Sequence, residues 1–314
     1  MPSPRDVLTP DALGLLQVVA QHGSFAAAAR ELGLVPSAVT YRIRQIEDAL
    51  DVLLFDRSSR QAKLTAAGNE LLCASQQLLQ DIDALANRVR RVATGWEAEF
   101  TVAVDGVLST STVMELAEAF YAQAPTTRLR LREETLAGTL EALLAGRADL
   151  ALGVVLEPGN TAGVESRAMG EVSFVYAVAP HHPLAALPQP IRDDVLIKHR
   201  AVAVADSTTQ RGDAITLGLL AGQDVLTVST MRAKLDAQLR GLGAGFLPEP
   251  LARPYLESGR LIACEVQRPT RTTRLSYAWR DAGNLGPGRA LTWWLAQLES
   301  AATRTALLER HRAP

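Results

Sequence analysis

The sequence predicts two folded parts: an all-α segment of short helices ending in one long helix, then an α/β segment built as two lobes. Three observations predict this. Apolar residues recur at helical spacing through residues 9–50 and again through 65–93. From Phe100 onward, short alternating strands are interleaved with helices. A chain of 314 residues also suits about two domains.

Bulk composition narrows the class. With 47% hydrophobic and 21% charged residues, the chain is an ordinary globular protein. Its net charge of −2 excludes a polycation, so any nucleic-acid surface must gather its basic residues on one face. Cys73 and Cys264 are far apart and near no histidine cluster. That predicts reduced thiols rather than a disulfide framework or a zinc site, and no cofactor or metal is expected. The N-terminus lacks the apolar core of a signal peptide, and no apolar run is long enough for a bilayer. The expectation is a cytoplasmic protein with no membrane partner.

In the first segment Thr9 is an N-cap, with Pro10 at the first helical position and Asp11 at the positive end of the dipole. Leu13, Leu16, Val19 and Ala20 form that helix's apolar face. Gly23 stops it, and Ser24 caps the next, Phe25 to Leu32, whose small residues Ala26 to Ala29 admit a close neighbour. Gly33 supplies a tight turn. Pro36 starts a third helix running to about Leu50, held to the core by Ala38, Val39, Ile43, Ile46 and Leu50. This is a helix-turn-helix layout, with Ser37, Thr40, Tyr41, Arg42 and Arg44 carried outward where base edges or phosphates are reached. Leu54 to Arg57 and Ala62 to Leu64 read as two short strands around a polar turn, Ser58 to Gln61. That wing carries Arg57, Arg60 and Lys63. Glu31, Glu47, Asp48, Asp51 and Asp56 nearly balance the basic residues, so charge alone leaves DNA binding open.

A resemblance adds what charge does not. Ser24-Phe25-Ala26-Ala27-Ala28-Ala29, Leu32, Ala38-Val39-Thr40, Ile43, Glu47, Leu50, Leu54-Phe55-Asp56-Arg57 and Leu64-Thr65-Ala66-Ala67-Gly68 closely resemble, without a gap, the signature of LysR-type transcriptional regulators. The resemblance implies a winged helix-turn-helix bound to double-stranded promoter DNA. One stretch departs: the family usually has Gln-Pro where this chain has Pro36-Ser37, and serine or threonine where it has Val35. The glutamine's base contact is therefore missing. Ser37, Thr40, Tyr41 and Arg44 become the candidates for reading or positioning. Beside them stand Arg42, the wing residues Arg57, Arg60 and Lys63, and Ser24 and Pro36 at two helix starts.

From Thr65 to about Ala93 there is no proline, and the only glycine, Gly68, lies in the first turn. Leu71, Ser75, Leu78, Ile82, Leu85, Val89 and Val92 alternate in steps of four and three, a seam suited to a second helix. Such a helix is roughly 40 Å long. The alternative is a lone helix packed on its own domain; the family resemblance implies pairing into a homodimer or homotetramer.

The second segment alternates strands and helices. Phe100 to Val104, Leu129 to Arg132 and Leu150 to Val155 read as strands; Val113 to Tyr121 and Leu136 to Leu144 read as helices. Phe174 to Val178, Ala201 to Ala205, Val225 to Val228 and Leu275 to Trp279 follow as strands, with helices at Met231 to Leu239 and around Trp293, Trp294 and Leu298. This predicts two α/β lobes joined by crossings near Glu171–Ser173 and Val266–Thr270. Ala179-Pro180-His181-His182-Pro183-Leu184 and Gly241 to Pro248 resemble stretches of the periplasmic-binding-protein-like effector domain of the same family. The expected domains are residues 1–64, winged helix-turn-helix; 65–93, linker helix; and 96–314, effector domain. Lobe I is expected at 96–172 and 268–314, lobe II at 173–267.

Ligands of open α/β sheets lie beyond the carboxyl ends of the strands. Asp105, Ser109 and Thr110 follow the first strand, Asp206, Ser207 and Thr208 follow another, and Thr230 follows a third. Thr135 and Phe246 are expected to complete the walls around a small-molecule effector. Hydroxyls at helix starts suit a carboxylate, but Asp105, if it faced the cleft, would repel one. A small hydroxylated aromatic is the expected ligand.

An enzyme is not expected: His181-His182 before Pro183 reads as a turn, and Gly241, Gly243 and Gly245 follow a helix where a dinucleotide fingerprint needs a strand. A solute-binding protein would have no use for residues 1–93, and a ligand-independent DNA-binding regulator is the remaining alternative. The reading is a LysR-type regulator whose DNA binding responds to a small molecule, with RNA polymerase as an expected partner.

Overall fold

The computed structural model describes residues 3–56, 62–124, 127–156, 163–208, 218–269, 271–281 and 286–311. They form two compact units, Met1–Val89 and Arg90–Pro314.

The first unit opens with a short helix that sequence reading did not foresee, α1 (Pro4–Val7), closed by a Ser3–Asp6 capping box. In α2 (Pro10–His22) Thr9 accepts from the Ala12 N–H, and Gly23 ends the helix in the left-handed region at φ 60°. Ser24 caps α3 (Phe25–Glu31) by accepting from the Ala27 N–H. The third helix, α4, runs Pro36–Leu50. Leu15, Leu16 and Val19 pack with Ala28, Ala29, Val39, Ile43 and Ile46, and Leu54 and Phe55 close this core. The wing is β1 (Phe55–Asp56) paired antiparallel with β2 (Lys63–Leu64).

One corner joins helix, wing and linker. Glu47 of α4 is buried, and its carboxylate accepts from the Leu54 N–H at 2.8 Å and the Phe55 N–H at 3.4 Å. The Thr65 hydroxyl donates to the Leu53 carbonyl at 2.7 Å and accepts from the Gly68 N–H at 3.0 Å. The Thr65 N–H donates to the Leu54 carbonyl at 2.9 Å. A side chain on Gly68 would run into that Leu54 carbonyl oxygen. Glu47 therefore leaves the surface charge balance in which sequence reading had placed it.

The linker α5 (Ala66–Thr94) has 29 residues and is about 43 Å long. Leu71 packs on the core of the first unit and Ser75 is buried. Further along, Leu78, Ile82, Leu85 and Val89 are 40–63% exposed. The side chain of Val92, the last expected seam residue, lies outside the described ones.

In the second unit β3 (Glu99–Asp105) lies parallel between β4 (Arg128–Glu134) and β5 (Leu150–Val154). Beyond β5, β11 (Arg271–Arg280) runs antiparallel, followed by β6 (Val164–Val178). The helices α6 (Thr110–Gln123), α7 (Ala137–Leu144), α11 (Arg289–Glu299) and α12 (Ala301–Glu309) belong to this lobe. Phe100, Phe120, Leu150, Leu152, Tyr277 and Trp294 centre its core. The far half of β6 pairs with β9 (Gly245–Pro248) and β10 (Ile262–Ala263). A parallel pair, β7 (Ala201–Val204) and β8 (Val225–Val228), is linked to the residue before β9 by the bridge Ala201–Ala244. The second lobe is completed by α8 (Asp193–Leu196), α9 (Met231–Leu239) and α10 (Glu249–Glu257).

The strand expected at Phe174–Val178 is only the end of β6. From Val164 to Gly170 that strand exposes most of its side chains, so no apolar alternation marks it. Its ladder with β11 runs from Val164–Arg280 to Phe174–Arg271, with one register shift between Leu275 and Ser276, and takes in the crossing expected near Glu171–Ser173. Among the described residues no helix is long and apolar enough to cross a membrane.

Gly68→Ala is expected to lower the stability of the first unit by about 2 kcal/mol, because the new methyl group displaces α5 from the Leu54 carbonyl. Thermal unfolding should show the transition of that unit moving down while the transition of the second stays in place.

Candidate functional site

Successive helix positions are 100° apart, which fixes what α4 presents. Val39, Ile43, Ile46 and Glu47 are buried on one side. Ser37, Tyr41 and Arg44 are exposed on the opposite side, with Tyr41 63% exposed. Thr40 borders them, half-buried, with its hydroxyl donating back to the Pro36 carbonyl at 2.9 Å. Pro36 is the exposed first residue of the helix, and Ser24 is a cap. Arg42 points elsewhere: it borders a depression shared with Asp6, Thr9, Asp11 and Gln45. Sequence reading grouped it with the outward set, but one residue's rotation carries it towards acidic α1 and α2. Lys63 is exposed on β2, whereas Arg57 and Arg60 lie outside the described residues.

The carboxyl ends of β3, β4 and β7 meet in the second unit. Asp105, expected to face a ligand, is turned inward and only 7% exposed. One oxygen accepts from the Val107 N–H at 2.9 Å; the other accepts from the Leu136 N–H at 3.1 Å and the Thr139 hydroxyl at 3.3 Å. Gly153, at φ 86°, leaves the room its methylene needs. Burial pushes the Asp105 carboxyl up to about 7, against those hydrogen bonds, with Glu133 adding to the rise. Its oxygens are taken up within lobe I, so the expected repulsion of an anion loses its basis. The case for a phenol, which stood on that repulsion, falls with it.

Ser109 is also structural. Fully buried, it caps α6 by accepting from the Thr112 N–H at 3.2 Å and donates to the Arg310 carbonyl at 2.7 Å. Thr110 beside it is exposed. Thr230 is half-buried and caps α9 through the Ala233 N–H at 3.1 Å. Phe246 lies in lobe II, edge-on to Tyr176.

The remaining expected residues come together across the lobes. Asp206 receives the Ala137 N–H at 3.3 Å and the Gly138 N–H at 3.2 Å, placing a carboxylate on the positive end of α7. Ser207 accepts from the Thr135 N–H at 2.9 Å, and the Thr135 hydroxyl donates to the Ala205 carbonyl at 2.6 Å. The Thr208 hydroxyl bonds Glu141. A side chain on Gly138 would collide with Ser207. Gly138 and Glu141 were missed in the sequence, although a glycine in the first turn of a helix is itself a mark of close approach.

Residues 10–69 match the bacterial regulatory helix-turn-helix protein, lysR family, and residues 93–303 match the LysR substrate binding domain. The uncharacterized HTH-type transcriptional regulator YeeY of Escherichia coli K12 is 36% identical over 284 residues, 90% of this chain and 91% of that protein. Full-length CbnR, solved with its target DNA, has the same fold, with a TM-score of 0.60 at 19% identity over 93% of this chain and 99% of CbnR. Full-length LysG from Corynebacterium glutamicum, solved with bound effector Arg, aligns at TM-score 0.51 and 23% identity, covering 96% of this chain and 99% of LysG.

The protein belongs to the LysR family. It is a LysR-type transcriptional regulator, a helix-turn-helix unit followed by a two-lobed effector-binding domain.

The buried Asp105 predicts a pH signature. An acid raised from 3.8 to about 7 on folding contributes stability that is complete below pH 3.8 and lost as pH rises through about 7. Asp149 is shifted the same way, to about 6, so the measurement compares two proteins. Between pH 5 and pH 8 the stability of wild type relative to Asp105→Asn should fall by about 2 kcal/mol or more in urea unfolding of the second unit. A constant difference would mean that Asp105 is ionised throughout.

Proposed function

We propose that this regulator reads promoter DNA with the Ser37, Tyr41 and Arg44 face of α4, and that a small molecule acting between the lobes sets that binding. The carrying observation is the division of α4 into a fully packed side and an exposed side bearing a hydroxyl, a phenol and a guanidinium. Those groups suit base edges and phosphates, with Lys63 on the wing reaching for the backbone. The matched CbnR fold, solved on its target DNA, supports the assignment.

Dimerisation through α5 completes the reading. Leu78, Ile82, Leu85 and Val89 form an exposed aliphatic stripe at heptad spacing, suited to the same stripe on a second copy. Regulation is assigned to the contact of Asp206, Ser207 and Thr208 with α7. A molecule that separates or tightens those groups changes how the lobes stand, and through them how paired subunits meet DNA. LysG, solved with its effector, supports a ligand-responsive reading.

Arg44→Ala should weaken binding to the promoter at physiological salt by about tenfold or more, while Arg42→Ala should cost less than about threefold. Equal losses in a fluorescence titration would reject the assignment of the reading face. Ile82→Glu places a charge in the stripe and should weaken dimerisation by about a hundredfold. Sedimentation at micromolar protein should then show monomer; an unchanged dimer would put the pairing surface elsewhere.

A further inference from the structure

Val35, the residue before α4, breaks a local rule. A helix start calls for a side-chain oxygen that accepts an N–H of the first turn, as Thr9 and Ser24 do for α2 and α3. Val35 supplies none, and α4 has no side-chain cap. Sequence reading noted the departure, since the family pattern has serine or threonine there. The valine is also 63% exposed, as much as Tyr41, so it adds nothing to the core that Leu34 and Val39 join.

The chain holds this side chain in place. Pro36 follows, and a residue before proline is confined to extended backbone; Val35 sits there at φ −80° and ψ 144°. Leu34 before it packs on the core of the unit, and its N–H donates to the Ala29 carbonyl at 2.8 Å. The Val35 carbonyl accepts from the Ala38 N–H at 3.0 Å, which ties the residue to the first turn of α4. A β-branched side chain has little freedom about χ1. The isopropyl group is thus presented at a set position, two residues before the exposed Ser37.

The start of a recognition helix is the part that reaches base edges in the major groove. Those edges carry hydrogen-bonding groups and one apolar group, the C5 methyl of thymine. A hydroxyl in this place has partners on several bases; an isopropyl group matches the methyl alone. We propose that Val35 is a specificity-determining residue that packs against the C5 methyl of a thymine in each half-site of the bound DNA. The inference rests on the reading of α4 as the DNA-contacting helix and adds a base which that helix selects. The apolar surface of Val35 is covered by apolar surface only where the methyl is present, so the side chain favours one base rather than DNA in general.

The full-length protein is first used to select duplexes from a randomised pool. Each thymine of the selected site is then replaced in turn by deoxyuridine, which removes the methyl and leaves the pairing edge unchanged. For wild type, replacement of one thymine per half-site should weaken binding by about fourfold in a fluorescence titration. At that position Val35→Ser should bind the thymine and uracil duplexes within about 1.5-fold of each other, and Val35→Ala should fall between. Because each protein is compared with itself on two duplexes, a general change in affinity cancels. The proposal is overturned if no thymine is selected, if no replacement affects wild type, or if Val35→Ser keeps the wild-type discrimination at the affected base. Arg44→Ala on the same duplex separates this failure from that of the helix assignment. If it weakens binding while no methyl effect depends on Val35, only the Val35 proposal falls; if it binds as wild type does, both fall.

Discussion

The DNA-reading unit depends on the corner of chain from Leu53 to Phe55. Four backbone groups there would be unsatisfied if left alone, and two residues from different elements satisfy them: Glu47 of the reading helix takes the Leu54 and Phe55 N–H groups, and Thr65 at the start of the linker donates to the Leu53 and Leu54 carbonyls. A buried carboxylate that accepts two N–H groups is a costly device to build and a rigid one once built. It sets the wing against α4, and it sets the first turn of α5 against the wing. A rotation of α4 about its axis would break those bonds, so the direction in which Ser37, Tyr41 and Arg44 point is fixed by groups on the opposite face. Gly68 matters for the same reason, since the linker helix approaches this corner more closely than a side chain allows.

The second unit is organised by a comparable economy of polar groups. Asp105 is spent on holding the loop after β3 to the start of α7, and Ser109 on holding α6 to the carboxyl end of α12. Across the lobes, Asp206 and Ser207 meet Thr135 and the start of α7. The long ladder of β6 and β11 holds the end of lobe I next to the start of lobe II by backbone bonds.

Much of this was legible from the chain. The caps Thr9 and Ser24, the glycine stop at Gly23, the wing strands and the exposed stripe on α5 follow from local chemistry and periodicity, and local chemistry survives folding. Three things were not legible, each for a physical reason. The outer half of β6 carries polar side chains and is held by hydrogen bonding, which leaves no hydrophobic period. Asp105 and Ser109 have the composition of a binding loop; only the path of the backbone reveals that their oxygens are consumed within the lobe. Lys234 sits in a helix with little amphipathic contrast, and its burial between α9 and β9 depends on Gly245, eleven positions away in sequence.

The carboxylate of Asp206 on the α7 N-terminus has a consequence for dose and response. Any dissolved acid drawn to that helix end meets a rival of its own kind, attached to the same molecule and present at an effective concentration of order millimolar or above. Affinity for the newcomer is divided by the small fraction of time the rival is away. If the lobe contact is the switch proposed above, low concentrations of such an acid leave the lobes fastened, and only a sustained surplus takes the place of the resident group.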